Sequence, residues 1–145
     1  RRLDGVEIKA GIGVNCPLAS KTAQRINLEG SFVRNIEAND NRLGGDRNGL
    51  QFEAAWRMAL SEGILSAQFN YTQLRDARGF SPLLEGNARR FVERSSVFLQ
   101  YRKDIDWPGD SAQLLIRLYH QDQNSNLGLF ETEDTSFELG LRWLL

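Results

Sequence analysis

The chain is poor in the residues that build common reactive centres. It has one cysteine, Cys16, and one histidine, His120, in 145 residues. A lone cysteine makes no internal disulfide framework and a lone histidine no histidine-rich metal site, so the usual metalloenzyme designs are excluded. No metal or other cofactor is expected. Neither sign of charge is in excess: 18 basic and 19 acidic side chains leave a formal charge of -1. Nucleic-acid binders normally carry a basic surplus, so no nucleic-acid partner is expected. Long apolar runs are also missing; Leu114-Leu115-Ile116 is among the longest, far below the ~20 residues of a membrane-spanning helix. That absence leaves one membrane architecture open, the β-barrel, whose alternating strands escape a hydropathy scan. The opening Arg1-Arg2-Leu3-Asp4-Gly5 is no apolar leader and reads as the interior of a longer polypeptide or the remainder after processing. With 41% hydrophobic residues the chain is not disordered, and its size fits a single β domain, 1–145, or a fragment of a larger barrel.

What is present is alternation. Val6, Ile8, Ala10, Ile12 and Val14 share one parity, with Glu7, Lys9, Gly11 and Gly13 on the other. The pattern recurs with Ile26, Leu28, Gly30 and Phe32; with Phe52, Ala54, Trp56, Met58 and Leu60; and with Leu65, Ala67, Phe69 and Tyr71. It is less clean around Val97, Leu99 and Tyr101, where Phe98 falls on the polar side. The same holds around Leu114, Ile116 and Leu118, where Leu115 and Tyr119 are exceptions. It returns in Phe137, Leu139, Leu141, Trp143 and Leu145. A period of two is the signature of strands with one apolar face. Seven strands are predicted, over about 6–14, 22–33, 50–60, 64–74, 91–103, 111–121 and 135–145, in an all-β antiparallel meander.

The connections alternate in length. Short turns are expected at 15–20, which holds Cys16 and Pro17, at Ser61-Glu62-Gly63, and at 106–110 around Pro108-Gly109. Longer loops are expected at 35–48, 77–89 and 123–134. A meander then collects all short turns at one end and all long loops at the other.

A soluble barrel and a membrane barrel share this alternation and differ in which face meets water. The polar parity carries ions of both signs and amides, as the water-filled interior of a membrane barrel requires. The apolar parity includes Ala10, Gly30, Ala54, Ala67 and Ala112, a ragged face that lipid tolerates better than a packed core does. Trp56, Tyr71, Tyr101, Trp107 and Trp143 supply aromatics for the membrane interfaces. The expectation is a transmembrane β-barrel, or its C-terminal part, in the bacterial outer membrane. Its lumen is lined by Glu53, Arg57, Gln68, Arg94, Arg102, Arg117, Glu138 and Arg142. Phe52, Trp56, Phe69, Tyr71, Leu99, Tyr101, Leu141 and Trp143 face lipid. Seven is an odd number, and an open membrane sheet leaves unpaired edges, so upstream strands are expected to complete the barrel. Arginine outnumbers lysine fifteen to three, which suits multidentate pairing in a confined interior.

Particular wording in the second half adds a resemblance. Gly79-Phe80-Ser81-Pro82-Leu83-Leu84, Ala88-Arg89-Arg90-Phe91, Asn124-Ser125-Asn126-Leu127-Gly128-Leu129-Phe130 and the terminal Leu139-Gly140-Leu141-Arg142-Trp143 carry it. Together they resemble the C-terminal barrel of outer-membrane proteins with periplasmic tetratricopeptide repeats. The surface lipoprotein assembly modifiers are the nearest group, and the polysaccharide-export porins a looser one. The resemblance covers about residues 50–145. It implies export or translocation of a lipoprotein or polysaccharide across the outer membrane, without covalent chemistry, beside a periplasmic repeat domain located elsewhere. The chain ends in Leu144-Leu145, where such barrels usually end in an aromatic residue.

No catalytic residue is expected. His120 stands near Asp122, but its parity is apolar and no nucleophile among Ser66, Ser96 and Ser136 shares that parity. Gly11-Ile12-Gly13 lies within a strand and is too short for a phosphate loop. Asp40-Asn41 with Gly44-Gly45-Asp46 matches no calcium loop and reads as an exposed turn. Two rival readings stand beside the membrane one. A soluble barrel or sandwich binding an apolar ligand or a partner protein would point Ile26, Leu28, Phe52, Trp56, Phe69, Leu99 and Leu141 inward. A small structural outer-membrane barrel would bind partners through the three long loops.

Overall fold

The computed structural model describes residues 5–18, 23–38, 42–107 and 110–144. Seven strands form one antiparallel sheet in chain order, each paired with its sequence neighbours. They are β1 (Gly5–Leu18), β2 (Gln24–Glu37), β3 (Arg47–Leu60), β4 (Gly63–Gly79), β5 (Arg89–Trp107), β6 (Asp110–Ser125) and β7 (Thr132–Leu144). A single 3-10 turn, Gly128–Phe130, precedes β7. The sheet is open: β1 and β7 each have one paired neighbour, so ring closure is absent among the described residues. No helix among them is long and apolar enough to cross a membrane, which says nothing of strands.

The all-β meander and the strand count follow the alternation, but the strands outrun it. β5 has 19 residues, about 60 Å at roughly 3.3 Å per residue, where the alternation covered 91–103. The loops shrink accordingly, to 38–46, 80–88 and 126–131. The physical reason is that backbone pairing does not require an apolar face. In the extensions of β3, β4 and β6, with Arg47-Asn48, Arg75-Asp76 and Asp122 to Ser125, both faces are polar, so periodicity disappears while the ladder continues; in β5 the alternation itself runs on through Ile105 into residues expected to turn.

The turn expected over 15–20 starts later, because Asn15, Cys16, Pro17 and Leu18 pair with Asn27, Ile26, Arg25 and Gln24. Pro17 has no N–H to give, which an edge strand such as β1 tolerates. Ser61 and Glu62 make a two-residue hairpin between β3 and β4. Residues 19–22, Asn39-Asp40-Asn41 and the Pro108-Gly109 turn lie outside the described residues. The predicted arrangement of ends holds: turns β1–β2, β3–β4 and β5–β6 share one end, and the longer loops share the other.

β4 carries a register shift between Arg75, opposite Phe91, and Gly79, opposite Arg89. The extra residues bend the strand toward the β2–β3 loop, as bulges do. Ala77 N–H donates to Asp46 O at 2.8 Å and Arg78 N–H to Gly44 O at 2.9 Å, fastening that loop to β4.

Candidate functional site

Opposed residues of antiparallel strands share a face, so the register sorts every strand side chain to one of two sides. On the first side Phe52 stands opposite Tyr71, Phe69 opposite Val97, Ala67 opposite both Trp56 and Leu99, and Leu65 opposite Tyr101. Leu114 stands opposite Leu141 and Ala112 opposite Trp143. All eight residues expected to meet lipid therefore occupy one continuous surface. It is the exposed surface: Ile12 is 79%, Phe137 67% and Leu141 62% accessible, and every large exposed apolar residue borne by a strand belongs to it. From Leu50 to Met58 its outward positions on β3 are all apolar, a run of roughly 27 Å, close to the ~25 Å band of membrane barrels.

Toward the long-loop end this surface turns polar along matched rows. Gln73 faces Glu93, which faces Asn124; Ser95 faces Asp122, which faces Glu133. Tyr71 sits at the boundary and donates its hydroxyl to Glu93 Oε1 at 2.9 Å, while Gln73 donates to the same oxygen at 3.1 Å. Trp56 lies toward the opposite end and donates its indole N–H to Gln24 at 3.3 Å. Tyr71 thus marks the long-loop margin of the apolar band, while Trp56 lies within it, one outward position before Met58. Gln73, Glu93 and Ser95 lie inside the predicted strands; the belt escaped the sequence reading because the register that sets them opposite Asn124 and Asp122, beyond the predicted strand, is not in the side-chain pattern.

The second side is polar and concave. One cavity of about 300 Å³ is lined by side chains from six consecutive strands, among them Lys9, Glu29, Glu53, Asn70, Arg94 and Gln121. The buried strand residues Ser31, Val33, Asp76, Val92, Ser96 and Gln123 belong to this side, and the large exposed apolar strand residues to the other, as in a sheet that curls toward its polar side. Glu53, Asn70, Ser96 and Gln121 form one row across β3 to β6. Gln68 donates to Asn70 at 3.1 Å, Asn70 to Ser96 at 3.3 Å, and Lys9 pairs with Glu29 at 2.9 Å. Arg94 Nε donates to Gln123 at 2.8 Å, and Arg117 bridges Gln100 at 3.2 Å and Glu138 at 3.0 Å. All eight residues expected to line a lumen share this face. Contacts join Arg117 to Glu138, and a shared cavity joins Glu53 to Arg94. Arg57, Arg102 and Arg142 have no ion pair or hydrogen bond among the described residues.

A second cluster at the long-loop end was not anticipated. Asp76, 2% accessible, lies between Arg47 (Nε to Oδ1, 3.2 Å) and Arg90 (Nε to Oδ2, 3.1 Å). The Arg90 guanidinium sits 4.7 Å from the Phe80 ring centroid and 4.6 Å from that of Phe130. The two rings meet edge-on at 4.8 Å. Cation–π contact and ion pairing together draw loops β4–β5 and β6–β7 onto the polar face. Glu37 joins the group through Arg78, and Arg42 donates to Asn35 Oδ1 at 2.6 Å. The only sequence cue was parity: Asp76 and Arg90 lie on the polar phase of β4 and β5 once those strands are extended.

The dismissed candidates have plain locations. His120 lies on the apolar side and contacts Thr135 Oγ1 at 2.8 Å, while Ser66, Ser96 and Ser136 lie on the other side of the sheet. Cys16 is an exposed strand residue rather than a turn residue. Among the described residues no three His, Cys, Asp or Glu side chains are grouped to hold a metal ion. No protein-family model matches the chain, and neither a curated protein nor a solved structure matches it.

Proposed function

We propose that these seven strands are part of the wall of a bacterial outer-membrane β-barrel, with the concave polar face lining a water-filled lumen. One observation carries the reading: the exposed outer surface is apolar across all seven strands and gives way to polar rows at the long-loop end. An apolar surface of this extent on a protein in water marks an interface with something apolar. A membrane barrel puts its apolar side outward and its charges inward, which is the arrangement of this curled sheet. The soluble-barrel reading needs Leu28, Phe52, Phe69, Leu99 and Leu141 inside, whereas the sheet curls away from them. Unpaired strand edges cannot face hydrocarbon, so further strands must join β1 and β7. β1 and β7 run in the same direction; an odd number of added strands keeps every pairing antiparallel.

The resemblance in residues 50–145 assigns such a barrel to export or translocation of a lipoprotein or polysaccharide, with no bond-making chemistry. The polar face supports a transport path in that it carries charges of both signs and amides, among them Lys9, Glu29, Glu53, Gln68 and Arg94. The test is folding in two solvents together with residue-level accessibility. Circular dichroism and sedimentation should show a monodisperse β protein in detergent micelles and not in plain buffer. Nitroxide labels at the adjacent positions 54 and 55, in a Cys16→Ser background, should then differ in vesicles. The label at 54 should collide with oxygen dissolved in the bilayer, and the label at 55 with a water-soluble nickel chelate. A folded, monodisperse protein in detergent-free buffer would sink the proposal.

A further inference from the structure

The outer apolar surface has a gap in it. Gly30 faces outward on β2 between Ile12 of β1 and Phe52 of β3, and a Cβ added there would meet nothing within 4 Å. Ala10, one outward position before Ile12, adds only a methyl group. Together they leave a groove of about 560 Å³ walled by Ile12, Phe32, Leu50, Phe52 and Tyr71. The lining is almost wholly apolar, and the Tyr71 hydroxyl is turned to Glu93 at the long-loop end.

The polar margin beyond this groove differs from the margin elsewhere. One row past Phe32 and Leu50, Arg34 stands opposite Asn48, and Asn48 opposite Arg75. Both arginines are exposed. On β5 to β7 the outward margin instead carries Glu93, Asp122 and Glu133. The Arg75 guanidinium lies on the outward side, 5.3 Å from the centroid of Phe91, the residue opposite it. It has no ion pair among the described residues. Arg34 has a loose partner, with Nη2 3.8 Å from Asp46 Oδ2. Glu93, the outward acid closest in register, is occupied by the Tyr71 hydroxyl and the Gln73 amide. Positive charge is therefore left over at the headgroup end of the groove.

We propose that the groove seats one acyl chain of an anionic membrane phospholipid, with its phosphate held between Arg34 and Arg75. The two ends of the site match the two ends of that molecule. Carbon lines the place of the tail, and guanidinium forks suit the tetrahedral oxyanion. Basic clusters at a membrane surface attract anionic headgroups. The two arginines stand two strands apart, roughly 10 Å between backbones, and Asn48 between them adds an amide. Their long side chains span that gap to meet on one phosphate. The volume falls within the ~300–1,000 Å³ of small-molecule sites. The inference rests on the reading of the outer surface as lipid-facing and names the lipid that this surface holds in the leaflet at the long-loop end.

The test titrates the full chain, folded in non-ionic detergent micelles, with dioleoyl phosphatidylglycerol, and native mass spectrometry counts the lipids retained. One lipid per chain is expected at saturation. Phosphatidylcholine of the same chains, whose choline offsets the phosphate, should bind several-fold more weakly. Arg34→Gln and Arg75→Gln should each weaken phosphatidylglycerol about fivefold, the scale of one basic residue at a membrane surface. Gly30→Leu fills the groove and should weaken both lipids. Ala67→Leu, on the same surface outside the groove, should change nothing, and neither should Arg57→Gln on the concave face. The arginine variants leave the groove intact, so headgroup and tail are read apart. Retention that never saturates overturns the proposal, as does an equal loss in Arg57→Gln, which indicates diffuse attraction. Equal binding of phosphatidylcholine overturns the headgroup assignment, and full competition by glycerol phosphate overturns the acyl one. A dimer lost in Gly30→Leu would assign the groove to a second copy and overturn it too. Circular dichroism with and without detergent reads the membrane assignment separately. A β protein folded in plain buffer fails that reading, while titration there with a short-chain, water-soluble phosphatidylglycerol still decides the groove.

Discussion

The guanidinium of Arg90 lies 3.1 Å from the carboxylate of Asp76, a side chain almost completely shielded from solvent. Arg47 approaches the same carboxylate from the other side at 3.2 Å. One buried negative charge therefore holds two positive ones, and Arg90 carries two loops with it through Phe80 and Phe130. Asp76→Asn leaves both guanidinium groups without their counter-charge, which costs on the order of 3–5 kcal/mol. Arg90→Lys retains the charge and loses the planar guanidinium that contacts both rings, so its cost should be smaller. Urea unfolding of the refolded protein measures both. Equal destabilisation by the two substitutions would show that the guanidinium–ring contacts, rather than the ion pair, hold the loops.

Adjacent residues on β4 should respond oppositely to charge. Phe69 lies in the middle of the outer apolar band, and Gln68 lies on the concave face beside Asn70. Phe69→Lys should cost about 2–4 kcal/mol in a bilayer, the penalty for a lipid-facing charge near the midplane, and Gln68→Lys well under half of that. Unfolding titrations in phospholipid vesicles make the comparison. Similar costs for the two would mean that the outer surface is not in hydrocarbon.

Gly44 is a position that needs its residue type. Its φ of +81° lies in the left-handed region, and a Cβ there would stand 2.1 Å from Asp76 Oδ2. Gly44→Ala thus combines backbone strain with displacement of the central carboxylate, and should destabilise by more than about 1 kcal/mol. The control is Gly86→Ala, at φ +66° with nothing within 4 Å of the added methyl, which carries the strain alone. Thermal unfolding of the pair separates the steric component from the conformational one. If Gly44→Ala matched Gly86→Ala, the Asp76 contact would be easily relieved.

One carboxylate in a turn outside the strands has a shifted titration. Glu62, in the β3–β4 hairpin, accepts a hydrogen bond from Lys103, and that bond holds its pKa below the ordinary glutamate value. A depressed folded-state pKa contributes stability above the unfolded pKa and loses it as pH falls through the folded one. Both groups are open to solvent and salt, so the effect should be seen in the titration rather than in overall stability. The carboxyl carbon-13 shift of Glu62 should titrate at lower pH in the parent than in Lys103→Gln, and the difference should shrink in high salt. An identical titration in the two proteins would remove the ion pair from solution.

Much of this protein was determined by its sequence alone, because the reason is local. A strand's side chains alternate by covalent geometry, so Phe52, Trp56, Phe69 and Leu141 had to share a surface, with Glu53, Arg57, Gln68 and Arg142 on the other, once the strands paired in order. The short and long connections likewise fixed which loops stand together. Alternation cannot say which surface is convex, and it ends where both faces become polar. Those matters were decided by tertiary structure. Curling brought Lys9 and Gln121 to one cavity and left the apolar side outward. Strand register aligned Gln73 and Glu93 with Asn124, which lies beyond the predicted strand, into a polar margin. The register shift in β4 and the contact of Arg90 with both Phe80 and Phe130 assembled the cluster around Asp76 from residues far apart in the chain. The placing of Arg34 and Arg75 on either side of Asn48 likewise depends on register, which side-chain pattern alone does not set to the residue.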